Sequence, residues 1–106
     1  MVNKTGIASI DIETLVGVLK KNKKITEVIL FGSRAKGTQS AGSDVDIALK
    51  GNDIDLDDIL DIQIELENLN FPFKTDLIIY NRITEPSLQE HINRVGIILY
   101  SETLKR

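Results

Sequence analysis

The sequence predicts an α+β domain in which a mixed sheet of about four strands is flanked by helices. Helix-like and strand-like hydrophobic patterns alternate along the chain. The two prolines, Pro72 and Pro86, fall at the boundaries of these patterns, and no repeat, low-complexity tract or linker interrupts them. Because 106 residues leave room for little more than one packed core, we expect a single domain over residues 1–106.

Composition excludes several classes of function. The absence of cysteine excludes disulfides, thiolate nucleophiles and cysteine-ligated metals, and the single histidine excludes a His-rich zinc site. Thirteen Lys and Arg against sixteen Asp and Glu give a net charge of −3, so direct nucleic-acid binding is not expected. The longest apolar runs, such as Val28–Phe31 and Leu77–Ile79, fall far short of the ~20 residues of a membrane span, and no secretory signal opens the chain. We therefore expect a cytoplasmic protein whose chemistry depends on carboxylates, hydroxyls and cations.

The first half of the chain predicts one helix and two strands. The helix runs from about Asp11 to Asn22 and is capped by Ser9 or Asp11. A strand from Ile25 to Phe31 stops at the glycine that follows it. The second strand, Asp44 to Lys50, places alternate apolar residues on one face, namely Val45, Ile47 and Leu49.

The second half predicts two helices and two strands. A helix from about Leu56 to Leu69 has a wide apolar face, made by Ile59, Leu60, Ile62, Leu66 and Leu69. A third strand follows from Phe73 to Tyr80. Thr84-Glu85-Pro86 opens a short helix that continues to about Arg94, and Ile97 to Tyr100 forms the last strand.

Three aspartates lie where a strand ordinarily avoids them. Asp44 and Asp46 belong to the second predicted strand and share one face, and Asp76 lies within the third. If the two strands are neighbours in suitable register, three carboxylates meet and repel one another unless a cation lies among them. Oxygen ligands of this kind suit Mg²⁺ or Mn²⁺. The alternative is that Asp44 is a turn residue and the other two pair with Lys or Arg at a sheet edge.

A glycine-rich segment, Gly32-Ser33-Arg34-Ala35-Lys36-Gly37-Thr38, follows the first strand. A strand that ends in Gly-Ser before a helical turn offers free backbone amides and a hydroxyl to phosphate, and Arg34 and Lys36 add charge. The segment is not a Walker A loop, because Thr38 stands where that motif has lysine. Taken alone, such a turn also occurs for purely conformational reasons.

Spacing connects the two features. Ten residues separate Ser33 from Asp44, giving Gly-Ser-x₁₀-Asp-x-Asp, and Asp76 follows in a later strand. This pattern resembles the signature of the DNA polymerase β-like nucleotidyltransferase superfamily, and specifically its minimal nucleotidyltransferases (MNT proteins). The resemblance extends from about Ile25 to Tyr100 and implies the nucleotidyltransferase fold.

The resemblance also implies roles for individual residues. Asp44 and Asp46 would hold two Mg²⁺ ions (Mn²⁺ is an alternative), and Asp76 would hold the ion that activates the acceptor hydroxyl. Gly32 and Ser33 would bind the β- and γ-phosphates of a nucleoside triphosphate, with Arg34 as a helper. The implied reaction transfers AMP from ATP, or another nucleoside monophosphate from its triphosphate, to a hydroxyl. The base is not specified by the sequence.

Three hypotheses are open for the acceptor of the nucleotide and for the biological role of the protein. MNT proteins are paired with a small helical HEPN protein, often an RNase toxin, on which they adenylylate a tyrosine and so act as antitoxin. The first hypothesis is such an enzyme, the second a catalytically silent antitoxin that occludes its partner, and the third a small-molecule nucleotidyltransferase. The third is disfavoured because the chain ends about where the catalytic domain ends. Homo- and hetero-oligomers both remain open, and we expect Phe71, Phe73 and Leu77 to bury surface against a partner.

Other candidate features are interpreted as structural. The Asp53-x-Asp55-x-Asp57 pattern looks like the start of a calcium loop but lacks the later residues, so we interpret it as a helix N-terminus. His91 is expected to be a half-buried surface residue. The segment from Gly37 to Ser43 is expected to be mobile until nucleotide binds.

Overall fold

The computed structural model describes residues 5–39 and 42–104. Four strands and four helices alternate along this part of the chain. The strands are β1 (Ile25–Phe31), β2 (Val45–Gly51), β3 (Thr75–Ile79) and β4 (Ile97–Ser101). The helices are α1 (Ser9–Leu19), α2 (Ser33–Lys36), α3 (Leu56–Glu67) and α4 (Pro86–Val95), with 3₁₀ turns at Tyr80–Arg82 and Glu102–Leu104. The α+β architecture expected from the sequence is confirmed.

The four strands form one mixed sheet in the order β3-β2-β1-β4. The β1 strand pairs antiparallel with both β2 and β4, whereas β2 and β3 are parallel and are joined by the crossover helix α3. This parallel pair matters most for the site, because its register sets Asp46 beside Asp76.

The two faces of the sheet carry different layers. The main core packs one face against α1 and α3, and contains Leu15, Leu19, Val28, Leu30, Val45, Ile47, Leu49, Ile62 and Leu66. A smaller cluster of Ile29, Ala48 and Ile92 packs the opposite face against α4. Asp46 lies between Val45 and Ile47, whose side chains belong to the main core. Because side chains alternate along a strand, the Asp46 side chain projects from the opposite face, on which α4 packs.

The structure corrects several predicted boundaries. Helix α1 begins at Ser9 after Ala8, which makes no side-chain cap, so the expected cap by Ser9 or Asp11 was wrong. Strand β2 begins at Val45, which leaves Asp44 just before it. Strand β3 is shorter than predicted at both ends, because Phe73 precedes it and a 3₁₀ turn begins at Tyr80.

The apolar face of α3 is also narrower than predicted. Only Ile62 and Leu66 are buried on it, while Leu60 is 59% exposed and Leu69, beyond the helix end at Glu67, is 41% exposed. Helical spacing alone predicts which residues share a side, but the neighbouring elements decide how much of that side is covered. None of the helices within residues 5–39 and 42–104 has the length and apolar character of a membrane-spanning segment.

Candidate functional site

The parallel pairing of β2 and β3 brings two of the predicted carboxylates together. Asp46 and Asp76 are direct register partners, and partners on neighbouring strands project from the same face. The start of this pairing is held by the Val45 amide, which donates a 2.8 Å hydrogen bond to the carbonyl of Lys74. Asp44 is exposed and lies two residues before Asp46. The structure therefore sets Asp44, Asp46 and Asp76 at the same end of the β2–β3 pair.

Electrostatics links these three side chains. Burial raises the pKa of Asp46 above its usual range, and the charges of Asp76 and Asp44 raise it further. His91 on α4 acts on this pKa in the opposite direction. The two neighbouring negative charges disfavour the ionised form of Asp46. A bound cation would stabilise that form.

The Gly-Ser turn packs directly on Asp46. Gly32 has φ +79° and ψ −157°, a conformation open essentially to glycine alone. A Cβ at this residue would overlap Asp46 Oδ2 and lie 3.2 Å from its Cγ. Ser33 then starts the single turn of α2, as expected, and its carbonyl accepts a 2.9 Å hydrogen bond from the Thr38 amide. The turn and the carboxylate are thus immediate neighbours.

Arg34 does not have the environment expected of a phosphate ligand. Its side chain is buried, at 7% exposure. Nη1 donates to the Thr5 carbonyl at 2.9 Å, and Nε and Nη2 donate to the Ser43 carbonyl at 3.1 and 2.8 Å. The guanidinium carbon also lies 5.8 Å from the ring centroid of Phe73. Arg34 therefore braces the loop against the N-terminal segment, and its geometry favours a structural role over the predicted contact with nucleotide.

An open groove of about 450 Å³ adjoins Asp44, lined also by Gly42, Phe71, Pro72, Phe73 and Lys74. Phe71 and Phe73 are stacked, with ring centroids 4.9 Å apart and planes 10° from parallel. Lys74 is the one base in this lining. Ser40 and Ala41, in the segment expected to be mobile, lie outside the described residues.

The side chains of Asp44, Asp46 and Asp76 offer the kind of oxygen atoms that Mg²⁺ binds, but they do not converge on a single position. All three candidate ligands offer carboxylate oxygens, the donors that Mg²⁺ and Mn²⁺ prefer. Within residues 5–39 and 42–104, no three acidic or histidine side chains stand close enough together to hold an ion as they are. The shared position of the three aspartates and the raised pKa of Asp46 are the observations that support a cation here.

Two other sequence features have clear positions. Asp55 caps α3 in a capping box with Asp58, which agrees with the interpretation of this acidic segment as a helix N-terminus. His91 is half-buried, and its ring lies edge-on to Phe31 at 6.2 Å. Only the packing of α4 on the sheet brings His91 near Asp46, so its local sequence carries no signal of this position.

Comparison with known proteins agrees with the fold. No curated protein sequence matches at a significant level. One chain of a solved toxin–antitoxin with AMP-PNP superposes with a TM-score of 0.73 and 25% identity, over 86% of this chain and 73% of that one. A minimal nucleotidyltransferase gives a TM-score of 0.67 and 25% identity, over 83% and 88% of the two chains.

A third structure resembles this chain in fold. It contains a tri-AMPylated HEPN toxin of Shewanella oneidensis in complex with its MNT antitoxin, and its TM-score is 0.67 at 20% identity, over 87% of this chain and 71% of that one. The model of the family "Polymerase beta, Nucleotidyltransferase" matches residues 13–104, most of the chain. This protein therefore belongs to the polymerase β nucleotidyltransferase family.

Proposed function

We propose that this protein is a Mg²⁺-dependent nucleotidyltransferase that transfers AMP from ATP to a hydroxyl on a HEPN-type toxin and thereby acts as its antitoxin. The observation that carries the proposal is the register pairing of Asp46 with Asp76, with Asp44 and the Gly32 turn beside them. Membership of the family supports the reaction class. The partner is suggested by the structural neighbours, which include a HEPN toxin held by an MNT antitoxin.

The three carboxylates would have different roles. Asp44 and Asp46 would bind two Mg²⁺ ions together, and Asp76 would bind the one nearer the acceptor. When bound, such ions neutralise the triphosphate, lower the pKa of the acceptor hydroxyl and stabilise the departing pyrophosphate. Asp76 is exposed, so an acceptor can reach it, and its carboxylate can take the hydroxyl proton.

The Gly-Ser turn would hold the triphosphate. Gly32 brings the backbone against Asp46 without a side chain between them, and the free amides of the turn would bind the phosphates. The acceptor oxygen then forms a bond to the α-phosphorus, and the bond from that phosphorus to the bridging oxygen of the β-phosphate breaks. Pyrophosphate leaves, and AMP remains on the acceptor.

Label transfer tests the proposal. The protein is incubated with Mg²⁺, ATP labelled at the α-phosphate and the product of the neighbouring gene, and Asp46→Asn and Asp76→Asn are compared with wild type. We expect each substitution to reduce transfer on the order of 100-fold or more, the scale seen when one electrostatic contact to a transition state is lost. Asp53→Asn, an exposed acid at the N-terminal side of α3, is the matched control and should transfer at the wild-type rate.

The second candidate is a binding-only antitoxin. It is favoured by one observation, that the described acidic side chains are not gathered on a single ion site. A tight complex in which neither wild type nor variant transfers label would support this candidate and overturn the enzymatic proposal. A companion measurement is thermal: Mg²⁺ with ATP should raise the melting temperature of wild type, and should not raise that of Asp44→Ala/Asp46→Ala.

A further inference from the structure

Helix α3 carries a row of exposed apolar side chains. Leu56, Leu60 and Ile64 are 66%, 59% and 59% exposed. They recur every four residues and so lie on one side of the helix, over a length of about 12 Å. The buried residues of the helix, Ile62 and Leu66, lie on another side. A single exposed leucine is ordinary, but a contiguous row on one element is typical of an interaction surface.

An apolar groove adjoins this row. It has a volume of about 400 Å³ and is lined by Leu56, Ile59, Leu77, Ile78, Ile79, Ile83 and Leu88, with Arg82, Thr84 and Glu85 at its polar part. Three of these residues belong to β3, which is an edge strand of the sheet: among the residues that the structure describes, no strand pairs with its outer side. The row on α3 and this groove make one surface, which we call the α3–β3 face.

The border of the α3–β3 face along α3 is acidic, whereas Arg82 and Glu85 lie at the polar part of the groove. Helix α3 contains five acidic residues and no basic one. Asp58 and Glu65 are directed towards the end of α1, where they contact Lys24 and Lys21. Asp57 and Asp61 follow Leu56 and Leu60 directly, are exposed, and form no ion pair with another described residue. The apolar row is therefore flanked by uncompensated negative charge.

This charge distinguishes between occupants. A second copy in a two-fold dimer would bring the same surface of each chain together, and the acidic rows of the two α3 helices would repel each other. A partner with apolar residues flanked by Lys or Arg would satisfy both the row and its border.

We infer that the α3–β3 face is the docking site for an apolar surface of the partner toxin that is flanked by Lys or Arg. The inference rests on the proposed function, because that function supplies the partner. The surface expected from the sequence at Phe71, Phe73 and Leu77 meets this face at Leu77, which lines the groove and is 9% exposed.

The test compares two kinds of substitution with a matched control. The affinity for the product of the neighbouring gene, the expected toxin, is measured calorimetrically at about 50 and 300 mM salt. Leu60→Ser/Ile64→Ser removes apolar contacts, and Asp57→Lys/Asp61→Lys reverses the border charge. Ile98→Ser is the control, because Ile98 is 49% exposed on β4, at the opposite edge of the sheet. We expect each double variant to bind at least about tenfold more weakly, the control to bind like wild type, and wild-type affinity to fall with salt.

Each of the following results would overturn the docking site or identify its occupant. Unchanged affinity in both double variants would overturn the docking site and leave the proposed function standing. Failure of wild-type protein to bind the toxin at all would overturn the partner in the proposed function, and the docking site with it. Self-association of wild type that is lost in Leu60→Ser/Ile64→Ser would identify a second copy as the occupant. A retained thermal response to Mg²⁺ and ATP in each variant shows that the fold and the nucleotide site are intact.

Discussion

Asp46 Oδ2 occupies the space that a Cβ atom on Gly32 would need. Phe31, the residue before this glycine, is the register partner of Asp46 across the β1–β2 pair, so the sheet itself fixes the two together. The chain leaves the sheet at Gly32, makes the short helix α2 and returns at Val45 as the neighbouring strand. The number of residues between the Gly-Ser turn and the paired aspartates is thus the length of chain that leaves the sheet after β1 and returns to it as β2.

Gly32→Ala should destabilise the protein and weaken ATP binding. The added methyl group meets Asp46, and alanine cannot easily adopt φ +79°, which together cost about 1–3 kcal/mol of unfolding free energy. Urea unfolding measures the cost. Gly17→Ala is the control: Gly17 lies inside α1 with nothing within 4 Å of the new methyl, and the substitution should stabilise by about 0.5–1 kcal/mol. Equal stability of Gly32→Ala and wild type would contradict the close packing of turn and carboxylate.

Asp46→Asn should stabilise the metal-free protein at neutral pH while abolishing its response to Mg²⁺ and ATP. The folded-state pKa of Asp46 is raised, chiefly by burial and then by Asp76 and Asp44. A raised acid pKa means that its contribution to stability is full below the unfolded pKa and is lost as pH rises through the folded pKa. In EDTA, the melting temperature of the variant should therefore gain on wild type between about pH 4 and 7. A gap that narrows as pH rises would contradict the repulsion among these carboxylates.

The sequence predicts the elements that depend on local pattern. Alternation in β2 correctly assigned Val45, Ile47 and Leu49 to a buried face, and each is 0% exposed. Because that alternation is a property of one strand, it also assigns Asp46 to the opposite face without further information. The pairing of Asp46 with Asp76 is different in kind, since it requires the register of two strands separated by a helix, and the sequence left this as a condition.

Features that depend on what packs against an element were not predictable in the same way. Leu60 was expected in the core and is exposed, because only the Ile62–Leu66 side of α3 meets the sheet and α1. Arg34 was expected to help bind phosphate, which stays a prediction, and in the structure its donors meet the backbone carbonyls of Thr5 and Ser43. The local sequence of an arginine beside a glycine-rich turn is the same whether the side chain binds phosphate or braces the loop.

The acid sensitivity of the fold should depend on Asp58. Its carboxylate accepts a 2.8 Å hydrogen bond from Lys24 Nζ and 3.0 and 3.1 Å hydrogen bonds from the Asp55 amide and Asn22. These partners, Lys24 foremost, hold the pKa of Asp58 well below its usual range. A lowered pKa means that the stabilisation is present above the unfolded pKa of about 3.9 and is lost as pH falls through the folded pKa. The melting-temperature gap between wild type and Asp58→Asn should therefore be widest near neutral pH and shrink below about pH 4.

A neighbouring residue provides the control for this pH dependence. Asp57→Asn changes the same charge on the same helix turn, at an exposed side chain that forms no ion pair within the described residues. Its melting temperature should follow that of wild type from pH 2 to neutrality. A constant gap between wild type and Asp58→Asn over that range would show that the hydrogen bonds act independently of the charge.

Arg34→Lys should separate a bracing role from a phosphate-binding role. Lysine keeps the positive charge but cannot reach the Thr5 and Ser43 carbonyls with a planar fork of donors. If Arg34 braces the loop, the variant loses about 1.5–3 kcal/mol of unfolding free energy, because hydrogen bonds from a buried charged group are lost. Protease cleavage within residues 37–44 should accelerate, while the affinity for ATP, measured on the folded fraction at low temperature, should stay near that of wild type. Wild-type stability combined with weakened ATP binding would instead return Arg34 to the role expected from the sequence, as a ligand of the triphosphate.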